Sequence, residues 1–206
     1  LPGGTDSLGR SFIVIEGDTL HTSFIPDPFR HTGPLNEADF EEIAKELDVE
    51  VAAIKAIVDI ETGKTRAGFH AEGKPVINFD QAVFRRAAAR RGINLSKYSS
   101  SEALKPINVK KYGGQQAAQQ ARLDAAMAID SIAAMESTFW GMFQIGGFNW
   151  KLCGAPSRQA FIEKMSQSEY DQLRLFADYM NNTGLIKHLR TKNWAAFARI
   201  YNGPSY

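Results

Sequence analysis

Residues 136–149 read ESTFWGMFQIGGFN, a combination of aromatic residues, glycines and amides that a core helix would hardly need. Glycines allow the backbone to approach a ligand closely, and aromatic rings stack on the faces of sugars. Gln and Asn side chains hydrogen-bond hydroxyl and acetamido groups. The stretch therefore predicts a binding surface, and an aromatic-rich segment of the core is the alternative interpretation.

N-terminal to this stretch, the hydrophobic spacing predicts two helices. Asn36 and Asp39 can form a capping box for the first helix. Asp48 is a candidate cap for the second, which Gly63 would end. Glu61 then lies in the last turn of an otherwise apolar helix, where partial burial would raise its pKa as a general acid requires. A solvated glutamate at a helix end is the alternative.

The remaining pattern predicts a mostly helical fold with at most one small β-sheet or hairpin. Further helices are expected over residues 81–91, 115–136, 157–165, 168–181, 184–190 and 193–201. A loop or short β-structure is expected within 64–78, and a long surface loop within 96–114. Residues 1–34 contain four prolines and several glycines. They are therefore expected to be an extended lead-in or linker, with a strand at 11–16, before a domain over 35–206.

The composition excludes several function classes. A net charge of +1 is too small to indicate a nucleic-acid binder, and the chain has no apolar run long enough for membrane insertion. The single cysteine, Cys153, is expected in the core. No metal and no cofactor are expected, because no metal-ligand spacing relates the histidines, which are His21, His31, His70 and His188.

Three segments together resemble the N-acetylmuramidase family of phage endolysins and bacterial cell-wall hydrolases, a branch of the lysozyme-like superfamily. They follow the family order: Glu-Thr-Gly at 61–63, Ser-x-x-Trp-Gly-x-Phe-Gln-Ile at 137–145, and Tyr-Asn-Gly-Pro at 201–204. The resemblance covers about residues 35–206. It implies a lysozyme-like muramidase domain in which Glu61 is the catalytic acid. The other motif residues expected to bind substrate are Thr62, Ser137, Trp140, Gln144, Asn149, Tyr201 and Asn202.

A second catalytic carboxylate is less clearly marked. Relatives usually have Phe-Glu followed by a basic or His-containing pair, where this chain has Phe-Asp-Gln-Ala at 79–82. Asp80 is the candidate, and helix capping is the alternative role for its side chain. Asp59 is the fallback, although on a helix it points to a different face from Glu61.

The resemblance implies hydrolysis of the β-1,4 bond between N-acetylmuramic acid and N-acetylglucosamine in peptidoglycan glycan strands. One alternative is a lytic transglycosylase, which shares the fold and the acid but releases anhydro-muropeptides. A second is a non-catalytic peptidoglycan-binding module, which the altered residues after Phe79 suggest. Digestion products and a Glu61→Gln variant discriminate among the three.

The biological setting is expected to be the bacterial periplasm or cell wall, where a monomer would act after delivery. The start at Leu1, without a signal peptide, and the proline-rich lead-in predict an origin in a larger protein. That protein would be a type VI secretion effector with a C-terminal lysozyme domain, or a phage endolysin. An effector would be accompanied by an immunity protein that fills the Glu61 groove.

Overall fold

The computed structural model describes residues 2–7, 10–22, 33–63, 67–106 and 115–202, with Asn202 described by its backbone alone. Most of these residues are helical, as the sequence predicted. The helices are α1 (Glu37–Leu47), α2 (Val51–Thr62), α3 (Gln81–Arg90), α4 (Gln116–Ile129), α5 (Ser131–Glu136), α6 (Arg158–Met165), α7 (Glu169–Asn182), α8 (Ile186–Arg190) and α9 (Trp194–Asn202). The strands are β1 (Gly3–Thr5), β2 (Ser11–Ile15), β3 (Asp18–His21), β4 (Phe69–Ala71), β5 (Lys74–Pro75), β6 (Ile77–Phe79), β7 (Thr138–Trp140) and β8 (Ile145–Gly146).

The expectation of at most one small sheet is wrong, because the described residues form three antiparallel sheets. Their strand orders are β1-β2-β3, β4-β5 and β6-β7-β8. Strands of two to five residues are too short to leave a readable alternation of apolar and polar residues. In the third sheet, β6 comes from the segment after α2, whereas β7 and β8 come from 136–149. That pairing places the segment after α2 next to the stretch 136–149.

The first two helices follow their capping signals with one exception. The Asn36 side chain accepts from the backbone N–H of Asp39, whose own side chain accepts from the Asn36 N–H, so the predicted capping box is present. Asp48 does not begin α2, as had been expected. It ends α1 in a left-handed conformation with φ of 53°, and Glu50 precedes α2. Asp tolerates that conformation, so the same residue can end a helix as well as begin one.

The expected single helix over 115–136 is broken at Asp130. This residue is extended, and its side chain accepts from the Ala133 N–H at 2.8 Å. It also pairs with Arg91, the residue that follows α3, at 2.7 Å. Alanine-rich sequence favours an unbroken helix, so the break depends on a cap and a tertiary ion pair. The turn at Asp130 starts α5, which leads directly into Ser137 and β7.

The core is centred on α7, which is buried along most of its length. Leu173, Leu175, Phe176 and Met180 are completely enclosed, and the helix packs against α1, α6 and β3. The Phe176 ring stacks on Phe143 with centroids 4.3 Å apart. Because Phe143 lies between β7 and β8, this contact attaches the third sheet to the helical core.

Residues 2–22 contain the first sheet, in which β2 corresponds to the strand expected at 11–16. Ile15 and Leu20 join the main hydrophobic core. The backbone of His21 exchanges hydrogen bonds with the Asn182 side chain, at 2.9 and 3.2 Å. Residues 23–32 lie outside the described part of the chain. The described part of the lead-in therefore packs on α7 as a small sheet.

Candidate active site

The three motif segments meet at one cleft of about 480 Å³. Glu61 reaches it from the last turn of α2. The stretch 136–149 supplies most of the remaining lining, with one tyrosine each from α7 and α9. The other lining residues are Phe139, Phe143, Gln144, Ile145, Gly146, Phe148, Asn149, Tyr179 and Tyr201.

The position of Glu61 follows from the hydrophobic stripe of α2. Ile57 and Val58 are buried, and Glu61 lies four and three residues after them, on the same face. Where this face leaves the core, the carboxyl remains half-buried. Asp59 and Ile60, on other faces, are exposed. Burial raises the pKa of Glu61 from 4.5 to about 7.

Aromatic rings from the C-terminal helices lie beside this carboxyl. The Tyr201 hydroxyl donates to the Phe143 carbonyl at 3.0 Å, and its ring packs against Tyr179 and Phe197 with centroids 6.1 and 5.9 Å apart. Burial raises the pKa of Tyr201 well above its usual value, and the negative charge of Glu61 adds to this effect. Glu61, Tyr179 and Tyr201 are defined here as the helical wall of the cleft, in which two tyrosines line the same space as the acid.

The other side of the cleft is formed by the third sheet and the residues that follow it. The sheet wall is defined here as Phe139, Gln144 and Phe148, which line the cleft, together with Asn78, which donates a hydrogen bond to Gln144. The Phe148 ring is 47% exposed and meets Phe139 edge-on, with centroids 6.1 Å apart at 88°. A Cβ at Gly146 would lie 2.4 Å from the Phe148 ring, so only glycine lets this ring rest against the backbone.

Gln144 contributes a side-chain amide to the sheet wall. Its backbone has a positive φ of 48°, which turns the chain between β7 and β8. Its Nε2 donates to the Gly141 carbonyl at 2.8 Å, and its Oε1 accepts from the amide of Asn78. Gln144 is thus a fixed polar group at the cleft, tied to β6 through Asn78.

Of the sequence-predicted site residues, Glu61, Gln144, Asn149 and Tyr201 line the cleft. The side chain of Asn202 lies outside the described residues. Six cleft residues were not singled out from the sequence as site residues, namely Phe139, Phe143, Ile145, Gly146, Phe148 and Tyr179. Five of them belong to the stretch 136–149, whereas Tyr179 lies on α7 with no motif to mark it.

Three other predicted residues serve the fold and do not line the cleft, which corrects the expectation for them. Trp140 is 5% exposed and its indole N–H donates to the Met135 carbonyl at 3.2 Å. Ser137 is completely buried and its hydroxyl donates to the Ala133 carbonyl. Thr62 donates to the Val58 carbonyl at 2.7 Å. Side chains alternate along β7, so the strand that presents Phe139 to the cleft turns Trp140 into the core.

Asp80 adopts the capping role that was the alternative for it. Its Oδ1 accepts from the Val83 N–H at 2.8 Å at the start of α3. Its backbone N–H donates to the Ser137 carbonyl at 2.9 Å, which continues the β6-β7 ladder by one residue. It is not among the residues that line the cleft.

Other chemistries find little support in the described part of the chain. Within it, no cluster of three or more His, Cys, Asp or Glu side chains could hold a metal ion. None of its helices is long and apolar enough to span a membrane. Cys153 is buried, as expected, and burial raises the pKa of its thiol well above the usual value. A protonated thiol of this kind is a poor nucleophile.

A half-buried glutamate that is protonated near neutral pH, in an aromatic cleft of a small helical domain, defines a glycoside hydrolase of the lysozyme-like class. The chain belongs to the N-acetylmuramidase family, whose model matches residues 50–206. It is a muramidase and acts on peptidoglycan.

Comparison with solved structures gives the same assignment. The crystal structure of the Burkholderia AP3 phage endolysin matches with a TM-score of 0.70 and 38% sequence identity. The match covers 88% of this chain and 67% of the endolysin chain. No curated protein sequence matches.

Proposed function

We propose that this muramidase hydrolyses the β-1,4 bond between N-acetylmuramic acid and N-acetylglucosamine, with Glu61 as the general acid. The observation that carries the proposal is the burial of the Glu61 carboxyl in the cleft, which raises its pKa to about 7. At neutral pH a large fraction of Glu61 therefore holds the proton that a leaving oxygen needs. A solvated glutamate with an ordinary pKa would be almost fully ionised there.

The two walls suggest separate roles in the reaction. Glu61 protonates the glycosidic oxygen while positive charge develops on the sugar ring. The exposed face of Phe148 offers a flat apolar surface to the axial hydrogens of a pyranose ring. Gln144 and Asn149 offer amides to hydroxyl and acetamido groups. We propose these three as substrate-binding residues, with Phe148 replacing Trp140 as the stacking aromatic.

A lytic transglycosylase is the second candidate function, and one observation favours it. Among the described residues that line the cleft, Glu61 is the sole carboxylate, and Asp80 accepts a capping hydrogen bond at the start of α3. A transglycosylase needs no second carboxylate, because the 6-hydroxyl of the muramoyl residue attacks instead of water. A hydrolase would use the second oxygen of Asp80, or a water ordered by the sheet wall.

Mass spectrometry of muropeptides released from purified sacculi tests these assignments. Wild-type protein is expected to release reducing-end products that carry one added water per cleavage. Anhydro-muropeptides as the main product would replace hydrolysis by transglycosylation. Glu61→Gln is expected to release neither product while remaining folded. The matched control is Asp59→Asn, an exposed carboxylate on the same turn of α2, which is expected to leave the products unchanged.

A wild-type protein that binds sacculi without releasing any product would identify a binding module. Equal activity of wild type and Glu61→Gln would remove Glu61 as the acid. Loss of activity in Asp59→Asn with retention in Glu61→Gln would move that role to Asp59. Each result changes a different part of the proposal.

We propose that residues 35–206 form the catalytic domain, that the lead-in packs on it, and that the protein acts as a monomer on the wall after delivery. The similarity to a phage endolysin supports delivery during phage lysis. The other setting is a type VI secretion effector. An immunity protein that binds the Glu61 cleft would be its signature, and co-purification from the producing cell would detect it.

A further inference from the structure

Side chains of α4 occupy the outer edge of β6, where another strand could have paired. β6 is the edge strand of the third sheet, and its outward-facing backbone groups belong to Ile77 and Phe79. The N–H and carbonyl of Ile77 both pair with the Gln116 amide at 2.9 Å. The Phe79 N–H donates to Gln119 at 3.0 Å, and its carbonyl accepts from Arg122 at 3.3 Å. Three side chains thus satisfy four backbone groups.

Gln116, Gln119 and Arg122 are named here the α4 polar stripe. Their spacing along the helix is close to the spacing of their partners along the strand. Gln116, Gln119 and Arg122 lie three residues apart on one helix face and span about 9 Å along the helix axis. Two residues of a strand advance about 7 Å. Gln119 and Arg122 are 2% and 5% exposed, so water cannot replace their hydrogen bonds if they are removed.

Arg122 connects the stripe to its surroundings. Its guanidinium lies 5.1 Å from the centroid of the Phe79 ring and donates to the Lys105 carbonyl at 3.3 Å. Burial lowers the pKa of Arg122, and the negative charges of Asp80 and Glu102 partly offset this effect. A single buried side chain therefore links the end of β6, the turn at 102–105 and the candidate second carboxylate.

The other face of β6 belongs to the cleft. Ile77 and Phe79 point into the core, so Asn78 and Asp80 lie on the opposite face, which they share with Phe139 of the paired strand. The amide of Asn78 donates to Gln144, which lines the cleft. The position of β6 therefore sets the position of the sheet wall.

We propose that Gln119 and Arg122 are positioning residues for the reaction, which they serve without contacting the glycan. They hold β6 in a fixed position relative to α4. Asn78, its partner Gln144, and Asp80 thereby keep the geometry that the transition state requires. The inference rests on the proposed function, because it assigns a role to residues behind the same cleft. Loss of the stripe should slow the chemical step more than it weakens substrate binding.

The test uses the full chain with soluble glycan fragments and sacculi as substrates. Arg122→Met is expected to lower kcat about 10- to 100-fold and to change KM by less than about threefold. Arg122→Lys keeps the charge but loses the two-armed donor, and its kcat is expected to lie between those of wild type and Arg122→Met. Gln119→Leu is expected to lower kcat in the same way. Combined with Glu61→Gln, each variant should still bind sacculi like the Glu61→Gln parent.

The matched control separates positioning from lost stability. Leu47→Ala removes a buried side chain at the end of α1, next to the start of α2 and away from Glu61. It is assayed at a temperature where every variant is folded by circular dichroism. A kcat of Arg122→Met within twofold of wild type would overturn the inference. So would an equal fall in kcat for Leu47→Ala at a matched Tm, or a rise in KM with kcat unchanged.

If Arg122→Met does not fold, Arg122→Lys and Gln119→Leu carry the test, and a kcat within twofold of wild type for both would overturn the inference. Failure of the proposed function is recognised separately. A wild-type protein that releases no product overturns that function itself. An active wild type with unaffected stripe variants overturns the positioning inference alone.

Discussion

The helical wall and the sheet wall of the cleft control different properties of the same site. The helical wall places Tyr179 and Tyr201 in the same cleft as Glu61, and burial raises the pKa of the Glu61 carboxyl to about 7. The sheet wall combines the rings of Phe139 and Phe148 with a hydrogen-bonded amide, Gln144, whose partners are Gly141 and Asn78. The protonation state of Glu61 is thus set by burial, whereas the orientation of Gln144 is set by directed hydrogen bonds. Substitutions in the two walls should therefore have different signatures.

The largest expected effect is on catalysis from the helical wall. Glu61→Gln should lower kcat by about 100- to 10,000-fold, since the amide cannot donate a proton to the leaving oxygen. In wild type, activity should fall as pH rises through about 7, because the acid must be protonated. Turnover of soluble glycan fragments between pH 5 and 9 measures both effects. A rate that stays constant up to pH 9 would separate Glu61 from the proton transfer.

The same substitution should stabilise the protein at alkaline pH. The pKa of Glu61 is raised on folding, so its favourable contribution is complete below pH 4.5 and is lost as pH rises through about 7. Above that pH, wild type holds a buried carboxylate that Glu61→Gln lacks. Because the carboxyl is only half-buried and remains partly solvated, the free energy of unfolding of the variant at pH 9 should be about 1 to 2 kcal/mol higher than that of wild type.

At pH 4 to 5 the stability difference should be small, because both side chains are then largely uncharged. Urea unfolding at pH 4.5 and pH 9 makes the comparison. Equal stability of the two proteins at pH 9 would mean that the Glu61 carboxylate is well solvated. The contrast between the two walls would then disappear.

A smaller effect is expected from the aromatic residue of the sheet wall. Phe148→Ala should raise KM for glycan fragments about 3- to 10-fold, the loss of one ring-stacking contact, with little change in Tm because the ring is half exposed. Phe148→Trp should restore binding. Isothermal titration in the Glu61→Gln background measures this directly. Trp194→Ala, an exposed aromatic on α9 that does not line the cleft, is the matched control.

The smallest effects on activity are expected from motif residues that face away from the cleft. Trp140→Phe should lower the unfolding free energy by about 1 to 2 kcal/mol, through lost packing and the lost bond to Met135. Its KM should stay within twofold of wild type. Thr62→Val should change neither activity nor KM measurably. A tenfold rise in KM for Trp140→Phe at unchanged kcat would return that residue to the binding surface.

Helix positions were largely predictable because their signals are local. The capping box at Asn36 and Asp39 and the apolar stripe before Glu61 both lie within a few residues of the structure they encode. The break at Asp130 could not be predicted, because it depends on Arg91, which is distant in sequence. The same holds for β6, whose three residues depend on partners in β7 and on the α4 polar stripe.

The sequence by itself determined the family and the mostly helical fold and marked Glu61 as the candidate acid, since motif order and helical periodicity are written in consecutive residues. Only the tertiary structure decided which motif residues line the cleft. Trp140 and Phe139 are neighbours in one motif, and the alternation of a short strand sends the first into the core and the second into the cleft. The pKa of Glu61 was decided in the same way, because its carboxyl is buried in a cleft whose other lining residues are distant in sequence.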